Sequence, residues 1–328
     1  MVPFVAARGA LALPTSLGRR LAIGIGLGAL FYLVLAVWAG WHDLRSALGV
    51  FRWPLVVPVL VLSLGNYLVR FQRWQLYLRR SGVPLATGLS LRIFFTGLVM
   101  SVTPGKLGEV LKAYLVKLHT GTPVSRTGPV VVAERLTDLL ALVVLLFVGA
   151  LVYRTGWLEL VVSGAVAFVL VVALASPHAA SAVLHLLERI GPARPYVERV
   201  ERAYANMRFL LRPSLLVQAT LLGTLAWFCE CLGFALVLHG LGVPEPVARA
   251  TFIYALSTLV GALLLLPGGL GGTEGSMVAM LVADGSKPAI AVAATFLTRV
   301  ATLWFAVLLG ALVLLGNRRM MAGTAPNN

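Results

Sequence analysis

Leu266-Pro267-Gly268-Gly269-Leu270-Gly271-Gly272-Thr273-Glu274 interrupts an apolar stretch running from 250 to 284, and Thr103-Pro104-Gly105-Lys106-Leu107-Gly108-Glu109 interrupts another from 89 to 118. Proline stops a helix because it lacks an N–H and its ring clashes with the preceding turn. The glycines after it open backbone conformations with positive φ and let a ligand approach closely. Pro104, Gly105, Gly108, Pro267, Gly268, Gly269 and Gly271 are therefore the expected helix-break residues. The plainer reading of each break is a turn between two short helices.

Working outward, each break carries a carboxylate, Glu109 or Glu274, and is followed by an arginine inside the next apolar span. Pro104 and Arg135 are 31 residues apart; Pro267 and Arg299 are 32 apart. Breaker, carboxylate and intramembrane arginine thus recur in one order at nearly one spacing. Paired interruptions of this kind predict an inverted-topology repeat with a substrate site near the membrane midplane.

Composition requires a membrane setting. Of 328 residues, 59% are hydrophobic and 12% charged, with mean hydropathy +0.92, against about 25% charged residues in a soluble domain. A soluble enzyme is excluded. Lys and Arg number 27 against 12 Asp and Glu, a net charge of +15. They flank apolar spans, where they set topology and meet anionic lipid, and form no single stripe of the kind that binds nucleic acid. Cys229 and Cys231 point to different helix faces, which excludes a local disulfide or metal pair. The five histidines show no metal spacing and no Walker motif is present, so no cofactor is expected.

Apolar spans near 21–40, 54–72, 130–153, 157–175, 214–240 and 288–316 predict an all-α polytopic protein with about six full transmembrane helices. The first is too long for a signal-peptide core. Positive-inside counting, using Arg73, Arg79, Arg80, Lys112, Lys117, Arg126, Arg318 and Arg319, threads the chain. Residues 1–20 form a cytoplasmic N-terminus. A first half, 21–175, contains a re-entrant hairpin at 89–118. A cytoplasmic amphipathic linker follows at 176–213, then a second half at 214–316 with a hairpin at 250–284 entered from the opposite face, and a cytoplasmic tail at 317–328.

Arg135 and Arg299 suit a bidentate grip on a phosphate, helped by a half-helix that begins beyond each break and aims its N–H groups at the cavity. Lys106 sits within the first break. Glu109 and Glu274 are expected to balance the arginines, take up a proton, or meet a cationic headgroup. Glu134, Arg135 and Asp138 read either as part of that site or as a structural ion-pair group, with Glu134 and Asp138 sharing a helix face. Glu230 is a further buried acid, an arginine partner or proton carrier. Arg70 and Arg73, with Trp53 and Trp74, read first as interfacial or snorkelling residues, with Arg73 kept as a candidate headgroup contact. Intramembrane charges are costly, which favours a site or pathway.

The order Arg73-Trp74, Pro104-Gly105-x-x-Gly108-Glu109, Glu134-Arg135 with Asp138, Pro267-Gly268-Gly269-Leu270-Gly271 with Glu274, then Arg299 resembles the lysylphosphatidylglycerol synthase transmembrane-region family. That family is the flippase-like membrane half of the multiple peptide resistance factor, also found as stand-alone proteins. The resemblance covers about residues 20–316. It implies a bacterial cytoplasmic membrane location and translocation of a phosphate-containing lipid, such as an aminoacyl-phospholipid or polyprenyl-phosphate glycolipid. No soluble aminoacyltransferase domain follows the last span, so a separate lipid-modifying enzyme is the implied partner. The competing readings are a secondary transporter of a small anion, a scaffold for a lipid-modifying enzyme, and a membrane transferase. The last lacks any Asp-x-Asp or Asp-x-Glu pair.

Overall fold

The structure is a computed structural model that describes residues 15–102, 109–153, 157–178, 181, 197–243, 245–264 and 267–317. Among these the regular elements are helical. In chain order they are α1 (Thr15–Ala39), α2 (Trp41–Val50), α3 (Val56–Arg80), α4 (Thr87–Leu98), α5 (Glu109–Thr120), α6 (Val124–Tyr153) and α7 (Trp157–Ala175). There follow α8 (Val197–Leu210), α9 (Pro213–Gly240), α10 (Val247–Leu263), α11 (Gly272–Ala283), α12 (Pro288–Arg299) and α13 (Phe305–Gly316). A π-helical turn, Val300–Trp304, joins α12 to α13.

Five helical stretches are long and apolar enough to cross a bilayer: Trp53–Arg80, Val124–Val152, Trp157–Ala175, Pro213–Gly240 and Pro288–Gly316. They coincide with five of the expected spans. The remaining expected span falls on α1, of which Gly28–Ala39 is a shorter apolar segment. The chain is thus an all-α polytopic membrane protein. Each interrupted stretch forms two short helices, α4 with α5 and α10 with α11. Arms of 12 to 17 residues fall short of the ~20 needed for a full crossing.

Helix α3 is built inside out, as a bilayer permits. Val57, Val61, Leu64 and Leu68 are exposed along one stripe, while Ser63, Asn66, Tyr67, Arg73, Trp74 and Tyr77 are buried on the other. The buried stripe packs along α9 at the centre of the molecule, where the Asn66 side-chain amide donates to the Ala226 carbonyl at 2.8 Å.

Around this centre the halves interlock reciprocally. Helix α10 of the second half lies on α6 of the first, and α4 of the first lies on α13 of the second. Both contacts are made at a glycine. A Cβ at Gly149 would stand 2.7 Å from the Phe252 Cβ, and one at Gly310 would stand 2.7 Å from the Phe95 carbonyl and Val99 amide. The two hairpin ends also meet: a Cβ at Gly268 would lie 3.4 Å from the Ser101 carbonyl.

Apolar residues collect in two clusters, one around each hairpin. Along α6, Asp138 falls between the residues of the two clusters. Helix α8, inside the expected linker, is amphipathic and rests on α6 and α7 with Met207 and Leu210 buried. Most of the preceding linker, 179–180 and 182–196, and the tail beyond Asn317 lie outside the described residues.

Candidate functional site

Where the hairpin ends meet α3, α6, α9 and α12, a cavity of about 90 Å³ opens, room for several waters. Arg70, Arg135 and Arg299 line it from three helices, with Glu230, Trp227 and Gly268 completing the polar wall.

Asp138 is the anchor of the cationic side. Its carboxylate accepts from Arg73 at 2.7 Å, from Arg135 at 3.4 Å and from the Trp227 indole N–H at 3.0 Å. Arg70 approaches it only to 3.8 Å, beyond hydrogen-bond range. Three guanidiniums therefore converge on one acid. Arg70 also stacks over Trp227, 5.7 Å from the ring centroid, and among the described residues its Nε has no hydrogen-bond partner.

The second arginine predicted from the repeat is held differently. Arg299 ends α12 and donates its Nε to Glu274 at 2.6 Å and an Nη2 hydrogen to the Gly268 carbonyl at 2.6 Å. Glu274 is fully buried and accepts the Gly271 N–H at 2.8 Å through its other oxygen, capping the start of α11. Gly268, at φ 62°, turns its carbonyl toward Arg299 in a conformation that side chains rarely adopt. The break thus pins the arginine, and the arginine pins the break.

Several expectations are corrected by this geometry. Arg73 does not snorkel: its side chain is 0% exposed, and Trp74 beside it is equally buried, because their stripe of α3 faces α9 and α6. Lys112 is not an exposed flanking base. It is buried, donates to Glu134 at 2.7 Å, and lies 4.5 Å from the Trp74 ring centroid. Glu134 and Asp138 do not act together; one serves α5 and the other the arginines. The start of α11 does not present its N-terminus unopposed, because Glu274 already occupies it; of the roles expected for Glu274, balancing an arginine is the one the geometry shows.

Glu230, expected as a buried acid, is buried, lines the cavity and accepts from the Tyr254 hydroxyl. Pro267 opens the short 3₁₀ turn Pro267–Gly269. Pro104, Gly105, Lys106 and Gly108 lie outside the described residues, as does the side chain of Glu109, whose backbone begins α5. Sequence reasoning missed Arg70, Trp227 and Lys112 as site or support residues. The available signal was the polar and aromatic spacing of Tyr67, Arg70, Trp74 and Tyr77 along one helix face, opposite a purely aliphatic one.

The family described as Lysylphosphatidylglycerol synthase TM region matches residues 21–310. A UPF0104 membrane protein of Pyrococcus horikoshii is 25% identical over 327 residues, covering 91% of this chain and 98% of its own. One from Methanothermobacter thermautotrophicus is 26% identical, covering 87% of this chain and 90% of its own. A third, from Methanocaldococcus jannaschii, is 25% identical over 66% of this chain and 92% of its own.

Proposed function

Because the chain belongs to the lysylphosphatidylglycerol synthase transmembrane-region family, we propose that it carries the phosphate-bearing headgroup of a lipid across the cytoplasmic membrane. The observation that carries this reading is the convergence of Arg70, Arg135 and Arg299 on one small polar cavity where the two hairpins meet. A headgroup cannot pass through hydrocarbon unless fixed partners replace its hydration. Arg70 lines the cavity and approaches Asp138 only to 3.8 Å, so a phosphate draws on that guanidinium without breaking a short pair. The cavity is too small for acyl chains, which in this reading stay outside in lipid.

Inverted halves give such a site two alternating exits. In this reading both termini are cytoplasmic, a separate enzyme makes the lipid, and the chain itself is a translocator without catalytic activity. The size of the cavity also fits a free anion, which makes transport of inorganic phosphate the second reading.

Purified protein in proteoliposomes, given headgroup-labelled phosphatidylglycerol or polyprenyl phosphate, tests the proposal. Expected is protein-dependent exposure of one lipid across the bilayer, reduced at least about tenfold in Arg70→Gln. Uptake of radiolabelled inorganic phosphate with no lipid movement would establish the second reading instead. Arg70→Gln is the informative variant because Asp138 keeps Arg73 at 2.7 Å. Arg299→Ala would strand the fully buried Glu274 and damage the fold itself.

A further inference from the structure

Away from the central cavity, α5, α6, α7 and α8 enclose a groove of about 870 Å³, near the upper end of volumes typical of small-molecule sites. Its walls are mainly apolar: Val124, Val131 and Val132 of α6, Leu174 of α7 and Met207 of α8 among them. Lys117, Arg199 and Arg202, all exposed, stand on its rim, and none of the described lining residues is acidic. Arg202 is paired with Glu198 at 3.3 Å, but both side chains are mostly exposed, so that pair is weak and readily exchanged.

An apolar trough with a cationic rim, formed where an amphipathic helix meets the ends of spanning helices, matches one amphiphile. We propose that the groove is a dedicated site for a single anionic phospholipid, with its phosphate on Lys117, Arg199 and Arg202 and one acyl chain laid against α6. Basic pockets between helices at the membrane surface select anionic headgroups in this way. The charge complementarity names the headgroup, and the apolar walls suit a chain. This site stands whether or not the central cavity moves lipid.

Gly128 supplies a test that spares the fold. It lines the groove, and a Cβ there meets nothing nearer than the Val124 Cγ1 at 3.9 Å, so larger side chains grow into the groove. Native mass spectrometry of the full chain, delipidated and titrated with phosphatidylglycerol or phosphatidylcholine, reads occupancy directly. Expected is one tightly retained phosphatidylglycerol, favoured over phosphatidylcholine by at least about tenfold, or ~1.4 kcal/mol. Gly128→Leu should abolish retention and Gly128→Ala should preserve it. Lys117→Gln with Arg199→Gln and Arg202→Gln should erase the headgroup preference. Undiminished retention in Gly128→Leu, or equal retention of both lipids by the wild-type chain, would overturn the proposal. So would protection of the groove by residues 182–196 of the chain itself, read by crosslinking from Gly128→Cys.

Discussion

Asp138 holds Arg73 and Arg135 by hydrogen bonds and Arg70 only at a distance, so the three arginines should respond differently to removal. Arg73 is completely buried, and Arg73→Leu takes a short, buried pair from Asp138. We expect a loss of about 3–5 kcal/mol, read as reduced thermal stability in detergent. Arg70→Gln should change stability by less than about 1 kcal/mol while removing transport. Equal destabilisation by both would mean that Arg70 is structural. Lys112 and Glu134 form the second test at this scale. Each single apolar replacement leaves a buried charge behind, but Lys112→Met with Glu134→Leu removes both. The double variant should recover at least half of the stability lost by either single one, and additive losses would show that the pair is not the contact that matters.

At the scale of elements, the two interruptions were legible and the partners of the short helices beside them were not. Proline, glycine and hydropathy are local quantities, so the breaks at Pro104 and Pro267 and the trailing Arg135 and Arg299 stand out in one dimension. Which face of α3 turns inward is decided by what packs there, and in a bilayer the usual cue is reversed because aliphatic side chains face lipid. For that reason Arg73 and Lys112 read as surface residues by their chemistry while the fold buries both. The equivalence of Gly149 and Gly310 was equally invisible, since a glycine in an apolar helix carries no label for the helix it touches. Their roles make a prediction about packing. Gly310→Ala meets backbone atoms of α4 that cannot move aside, and Gly149→Ala meets the Cβ and Cα of Phe252. Each should cost about 1–3 kcal/mol, whereas Gly164→Ala, with open space around it, should be neutral or mildly stabilising. Matching melting temperatures across all three would remove close approach as the basis of both contacts.

For the whole molecule, the opposed orientation of the two hairpins is the claim with the widest reach. In a background lacking Cys229 and Cys231, cysteines at Ala86 and at Lys287 mark the bases of the first and second hairpins. A membrane-impermeant thiol reagent should label them from opposite sides of sealed vesicles, and labelling from one side would end the inverted-repeat reading. The reciprocal packing also bears on how the protein is made. The inner face of α4 is completed by α13, and Phe95 touches Gly310 across more than half the length of the chain. A nascent chain therefore inserts its first hairpin long before the helix that shelters it has left the ribosome. Until then the face of α4 that Gly310 meets looks onto the bilayer or a chaperone, so a chain cut after Lys287 should insert yet be cleared by quality-control proteases. Biogenesis, more than equilibrium stability, is where this interlocked design is most exposed.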